Sequence, residues 1–286
     1  MADVAVVTDS TGYLPPALMQ SLGIEVVSLY YDLGGAGMRR ESEFGGDYSR
    51  FYADLVASDG LASTSPTPVD DLVAVYERLL DAHSTVVSVH ISSAISETCA
   101  NAREAVQRLK AHERVVVIDS AGATGHLGFQ ALAAARAVAA GEDLEGVIER
   151  VRQARQGVKQ WFLVETLEYL RRGGRIGGAA AWIGSALDIK PILTVESEIK
   201  AVERVRTRKR GLERLIELMR QRRSLGADRW FVQHAHAHED ADRMVERLTE
   251  VFVRPPEFVA EVGPVIGTHV GPGTLWVGGL PGAALR

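Results

Sequence analysis

The segment Gly173-Gly174-Arg175-Ile176-Gly177-Gly178 offers this chain's most distinctive chemistry. Two glycines give the backbone torsions that other residues resist. Arg175 beside them can present a planar fork of donors to a carboxylate or phosphate. The residues that follow are small (Gly177, Gly178, Ala179, Ala180, Ala181, Gly184 and Ala186) and leave room for close packing or for a slender apolar ligand. The same residues would also serve a plain helix start. Hydroxyls recur in four other places: Asp9-Ser10-Thr11, Ser63-Thr64-Ser65-Pro66, Ser92-Ser93 with Ser96 and Thr98, and Asp119-Ser120. A short hydroxyl at a helix N-terminus makes an anion site, although the same serines also act as ordinary caps. Asp9 and Asp119 are expected to organise their loops by accepting backbone donors. His269 lies in Gly263-Pro264-Val265-Ile266-Gly267-Thr268-His269-Val270-Gly271-Pro272-Gly273, as a structural imidazole or as a donor to a bound anion.

His234-Ala235-His236-Ala237-His238 would place three imidazoles on one face of an extended segment. No cysteine or carboxylate is spaced to complete a familiar ligand set, although Glu239 and Asp240 follow. The run is therefore expected to cap a strand end before a helix, and no metal is expected.

Bulk properties narrow the function further. The 286 residues allow one large or two ordinary domains. An apolar share of 46% and a charged share of 24% are those of a globular protein, and a net charge of -5 without a basic block argues against nucleic acid. Cys99 stands alone, so an intrachain disulfide and a cysteine zinc cluster are excluded. The start MADVAVVTDS lacks the basic and apolar regions of a signal peptide, and no run of about 18 apolar residues offers a membrane span. The expected location is the cytoplasm. No Gly-x-x-x-x-Gly-Lys-Ser/Thr loop, obvious Mg²⁺ site or Gly-x-Ser-x-Gly elbow is present, and no histidine–acid pair stands out.

The elements that must carry these residues follow from hydrophobic patterning. Apolar runs at Val4–Val7, Thr85–Ile91 and Arg114–Ile118 each end in polar or hydroxyl residues, and the latter two lead into helical patterns over Ser96–Ala111 and Leu127–Ala140. This grammar predicts a parallel sheet covered by helices. Ile24–Tyr31 is a second apolar run, and Gly34–Asp47 reads as a surface loop. After about residue 160 come short strands at Trp161–Val164, Lys190–Val195, Lys200–Val205, Trp230–His234, Phe258–Gly263 and Leu275–Gly278, with helices at Gly211–Arg223 and Asp240–Phe252. The expected architecture is α/β in two domains: residues 1–160 with a parallel sheet, and 161–286 as an α+β unit of largely antiparallel strands.

Taken in order, these segments resemble the DegV family over nearly the whole chain. The matching residues are Thr8-Asp9-Ser10-Thr11, Thr64-Ser65, Ile91-Ser92-Ser93 with Ser96 and Thr98, Ile118-Asp119-Ser120, Glu168-Tyr169-Leu170 through Gly173-Gly174-Arg175-Ile176, Ile189-Lys190-Pro191-Ile192-Leu193, Arg206-Thr207-Arg208, and Gly263-Pro264 through Gly273. The resemblance implies a two-domain α/β protein that holds a long-chain fatty acid between its domains. It places the carboxylate near Thr64, Ser92 or Ser93, Arg175 and His269. Asp9, Ser65, Ser96, Asp119, Gly173, Gly174, Gly267 and Thr268 would support them. It implies no cofactor and no activity of the chain's own, but presentation of the acyl carboxylate to a separate ATP-dependent kinase subunit. The acyl phosphate would pass to an acyltransferase-type enzyme of phospholipid synthesis. Three positions depart from the family pattern: Ser65 runs directly into Pro66, Thr124-Gly125-His126 replaces a small Ser-(Met or Phe)-Gly element, and Asp188 stands where asparagine is common. The alternative class is a serine-dependent hydrolase or acyltransferase acting on a lipid.

Overall fold

The computed structural model describes residues 3–44, 47–58, 62–183 and 189–286. Gly184, Ala186 and Asp188 lie outside these, as do Gly45 and Gly46 of the expected surface loop. The first part of the chain gives strands β1 (Val4–Asp9), β2 (Ile24–Val27), β3 (Tyr30–Leu33), β4 (Arg39–Arg40), β5 (Ala62–Ser65), β6 (Thr85–His90) and β7 (Val115–Asp119). Its helices are α1 (Pro16–Ser21), α2 (Ser49–Ala57), α3 (Val69–Ala82), α4 (Thr98–Leu109), α5 (Gly125–Ala139) and α6 (Leu144–Gly157). Next come β8 (Lys159–Leu163), β9 (Lys190–Glu196), β10 (Glu198–Val205), β11 (Arg229–His234), β12 (Phe258–Glu261) and β13 (Leu275–Leu280), with α7 (Glu168–Arg172), α8 (Arg208–Ser224), α9 (His238–Phe252) and α10 (Pro264–Val270).

β1, β6 and β7 are the near-continuous apolar runs, and they pair in parallel with β2 in the order β2-β1-β6-β7. Burial on both faces is what such runs require. The sheet of the second part runs β10-β9-β8-β13-β11-β12, antiparallel except between β11 and β12. The fold is thus mixed α/β with separate parallel and mostly antiparallel sheets. α5 lies between them: twelve of its residues are buried, six of them alanine or glycine beyond Gly125, and it touches β1 and β6 on one side and β8, β11 and β13 on the other. A helix apolar all round must be enclosed, and its small side chains let two sheets approach it. One core cluster accordingly contains Val87 and Val89 of the first sheet together with Phe162, Phe231 and Trp276 of the second.

Four local expectations are corrected. The apolar run Ile24–Tyr31 is broken at Ser28-Leu29, so Tyr30 and Tyr31 enter a separate antiparallel sheet, β4-β3-β5. Thr64 and Ser65 are not in a loop; they form the end of β5, paired with Tyr31 and Tyr30. Gly34–Asp47 is not all loop, because Arg39–Arg40 pairs with β3 and Glu41–Phe44 makes a 3-10 turn. Finally, His234–His238 is not extended: His234 ends β11, His236 adopts φ 49°, and His238 opens α9.

Candidate functional site

In the parallel sheet, the chain moves from β2 on one side of β1 to β6 on the other, and ligands gather beyond the carboxyl ends of strands at such a reversal. A cavity of about 550 Å³ opens there, within the range of small-molecule sites. Leu29, Ile91 and Ala123 wall it from the first sheet's side, and Phe162, Val195, Ile199 and Trp276 from the second's. Val265, Ile266 and Val270 of α10 add a third apolar wall.

The polar end is assembled from three distant segments. The β5 strand delivers Thr64, whose Oγ1 lies 2.9 Å from His269 Nε2. His269 is carried by α10, which Pro264 starts well because its ring fixes a helical φ and the missing N–H would have had no partner. Glu41, wholly buried, holds that helix start: its Oε1 accepts from Val265 N–H and from the Tyr13 hydroxyl, each at 2.7 Å. Burial pushes the Glu41 carboxyl up to about 7. Burial, aided by Arg175, pushes the His269 imidazole down to about 4, so the ring is neutral at ordinary pH. Its Nδ1 is buried without a hydrogen-bond partner. With the proton on Nε2, the imidazole donates to Thr64 Oγ1, and the threonine hydroxyl keeps its own proton for a ligand.

Gly173 is needed for this geometry. A Cβ there would stand 2.0 Å from His269 Nδ1. Gly174 turns the chain with φ 67°, and Arg175 follows at the exposed mouth. Its guanidinium donates to the carbonyls of Gly173 (2.8 Å) and Ile95 (3.4 Å). Gly267 lets α10 settle on α2, since a Cβ would meet the Tyr52 hydroxyl at 2.7 Å. Thr268 is buried, its hydroxyl without a partner.

The two adjacent serines separate. Ser93 lines the cavity, with its hydroxyl donated to Asp119. Ser92 is sealed, donating to the Ser197 carbonyl at 2.5 Å, and does not line the cavity. The Ser197 N–H in turn donates to Ala121 O at 2.8 Å, so the tip of the β9–β10 hairpin is fastened to the strand-end loops. Asp119 also accepts from Ala121 N–H. Asp9 accepts from Thr11 and from Ile91 N–H, fixing the exit of β6. Ser65 and Ser96 line the cavity, the latter 3.0 Å from Thr98 Oγ1.

Several wall residues escaped sequence reasoning. Phe162, Trp276 and Leu29 are ordinary strand or loop hydrophobics with no local signal. Thr124 lies in the Thr-Gly-His departure from the family pattern; it lines the cavity with φ 56°, costly for a β-branched residue. A histidine–acid pair also emerges only in three dimensions. Ser88 Oγ lies 2.7 Å from His90 Nε2, and His90 Nδ1 lies 3.2 Å from Asp9 Oδ2. All three are sealed and none lines the cavity. A nucleophile must reach its substrate, so this relay braces β6 against β1.

Comparison with known proteins agrees with this architecture. A family model described as "Uncharacterised protein, DegV family" matches residues 3–281. Protein DegV of Bacillus subtilis is 34% identical over 278 residues, covering 96% of this chain and 98% of that protein. A DegV domain-containing protein of Streptomyces coelicolor is 36% identical, covering 96% and 97%. Among solved structures, DegV of Bacillus subtilis, described as a fatty acid binding protein, superposes with TM-score 0.87 at 33% identity, covering 98% of this chain and 100% of that one. A Thermus thermophilus structure, described as fatty acid binding of a DegV family protein, gives 0.86 at 31%, covering 98% and 99%. With near-complete coverage by both the family model and relatives above 30% identity, the chain belongs to the DegV family.

Proposed function

We propose that this protein binds a long-chain fatty acid and presents its carboxylate to a separate ATP-dependent kinase subunit. The carrying observation is the Thr64–His269 pair, 2.9 Å apart, at the polar end of a cavity whose other walls include Phe162, Leu170, Val195, Ile199, Val270 and Trp276. Residues 1–160 and 161–286 are the two units that enclose the ligand. Thr64 donates to the carboxylate, His269 orients Thr64, Arg175 stands at the mouth, and Ser93 joins Thr64 when its hydroxyl turns from Asp119 to the ligand. Each buried methylene contributes about 0.8 kcal/mol, so a chain of roughly 16 carbons offers on the order of ten kcal/mol before ordering costs. The head group then needs only to be satisfied, which neutral hydroxyls accomplish while leaving an oxygen open to a phosphoryl donor. The fatty-acid descriptions of the Bacillus and Thermus relatives support the same ligand.

Mass spectrometry of an organic extract of purified protein is expected to yield about one long-chain fatty acid per chain. Absence of lipid, together with no heat of binding for palmitate or oleate after delipidation, sinks the proposal. A second expectation concerns Gly173→Ala. Its Cβ would displace the His269 ring, so oleate affinity measured by calorimetry should fall about tenfold or more with an unchanged circular dichroism spectrum. Wild-type affinity would show that the ring does not need its present position.

A further inference from the structure

The three histidines near residue 236 are not used by the lipid site. In sequence they lacked a completing carboxylate, and the fold supplies one. β11 and β12 run parallel with His234 directly paired with Glu261, 27 positions away. The turn at His236, with φ 49°, then folds the chain back so that His238, first residue of α9, stands over the strand end. The His234 and His238 rings are 4.6 Å apart between centroids. One ligand atom from each of His234, His238 and Glu261 lies within 4.8 Å of the other two. We propose that His234, His238 and Glu261 form a binding site for one divalent transition-metal ion of the zinc class.

Glu261 is the strongest reason. Its side chain is only 11% exposed, and its Oε1 has no hydrogen-bond partner. That oxygen faces His238 Nε2 at 3.4 Å and His236 Nδ1 at 3.8 Å. A buried carboxylate oxygen is costly unless a proton donor or a cation meets it. Two imidazoles and one carboxylate are a three-ligand set for Zn²⁺, leaving the fourth position to water or to His236. Ligand atoms of a tetrahedral zinc sit about 3.3–3.5 Å apart, so the exposed His238 ring has only a small movement to make. Imidazole nitrogen also excludes Mg²⁺ and Ca²⁺, which take oxygen ligands. His234 Nδ1 accepts only a long bond, 3.3 Å from Ala237 N–H. A metal taking that nitrogen displaces this bond and leaves Nε2–H as a donor. His236 is held beside the site by stacking on Tyr52, centroids 5.6 Å apart, and the Tyr52 hydroxyl donates to Val262 O. Bound metal would therefore brace the end of β12 just before α10.

The test is titration of chelator-treated, full-length protein with Zn²⁺ by calorimetry, and with Co²⁺ followed by its visible d–d absorption. One ion per chain is expected, with tetrahedral-type Co²⁺ bands. His238→Ala removes an exposed ring and Glu261→Gln preserves shape; each should weaken binding tenfold or more and abolish the bands. His83→Ala removes an exposed imidazole that pairs with Asp3, and should change neither. Wild-type affinity in either site variant, or no stoichiometric binding by the wild type, overturns the proposal.

Discussion

His269→Ala is expected to weaken fatty-acid binding by roughly 1–3 kcal/mol and to slow acyl-phosphate formation by a larger factor. The binding loss follows from removing a partner in a buried polar pair: Thr64 Oγ1 keeps its hydroxyl but loses the donor 2.9 Å away that fixed it. The tail's contribution is larger, so lipid still binds. Phosphoryl transfer is more demanding, because the carboxylate oxygen must be held in line with the donor. Thr64→Val should behave similarly, as it deletes the hydroxyl that His269 orients. Ser92→Ala should leave phosphorylation unchanged if stability is matched, since Ser92 faces Ser197 and not the cavity. The measurement is acyl-phosphate formation with ATP and the kinase subunit of the same organism, beside lipid affinity for each variant. Normal turnover by His269→Ala would make the imidazole merely structural. Burial holds His269 down near 4 in the ligand-free protein, so the ring that meets an incoming ligand between about pH 6 and 8 is neutral.

The largest effect on stability is expected from Phe231→Ala, about 3–5 kcal/mol lost. Phe231 stacks on Phe258 (5.2 Å, 5°) and meets Phe129 of α5 edge-on at 5.4 Å. Backbone closes on it as well: a Cβ on Gly125 would fall 2.2 Å from its ring and one on Gly278 2.5 Å from it. Deletion therefore leaves a cavity that rigid strands and a buried helix cannot collapse to fill. It falls where α5 joins the two sheets, next to Gln233, which donates to the carbonyls of Gly12 and Tyr13. Urea denaturation is the measurement. Leu225→Ala, at a 73% exposed position, should stay within about 0.5 kcal/mol of wild type. A Phe231→Ala midpoint equal to that of the control would mean that the aromatic cluster does not hold the two sheets together.

Much of this molecule is legible in its sequence. β1, β6 and β7 announce themselves as unbroken β-branched runs, and α8 as a stripe of Leu212, Leu215, Ile216 and Met219. The Gly-Gly-Arg segment and His269 stood out because glycine-rich backbone around a polar side chain has few plain uses. Other features had no local signal. β5 reads Ala-Ser-Thr-Ser, with nothing apolar to alternate, and becomes a strand only because β3 lies beside it. α10 is hidden by its first residue, Pro264, and by flanking Gly263, Gly271 and Pro272, residues that ordinarily mark turns. The difference between Ser92 and Ser93 is a matter of which way two neighbouring side chains point, fixed by a hairpin a hundred residues further on. Glu261 reaches His234 through strand register, which no spacing rule within one segment reveals.

The Thr64–His269 contact joins residues 205 positions apart. At 5–20 residues per second, roughly 10–40 s of synthesis separate the emergence of the two side chains. Through that interval β5 has no imidazole to meet, and the cavity lacks the wall that α10 provides. A nascent chain therefore lacks the complete cavity, and a ligand that needs both residues can be held only by the finished protein. Any ligand that needs both residues stabilises the completed fold selectively, and none of the intermediates that precede it. Such a ligand would then slow the loss of finished molecules while leaving the rate at which they are finished unchanged.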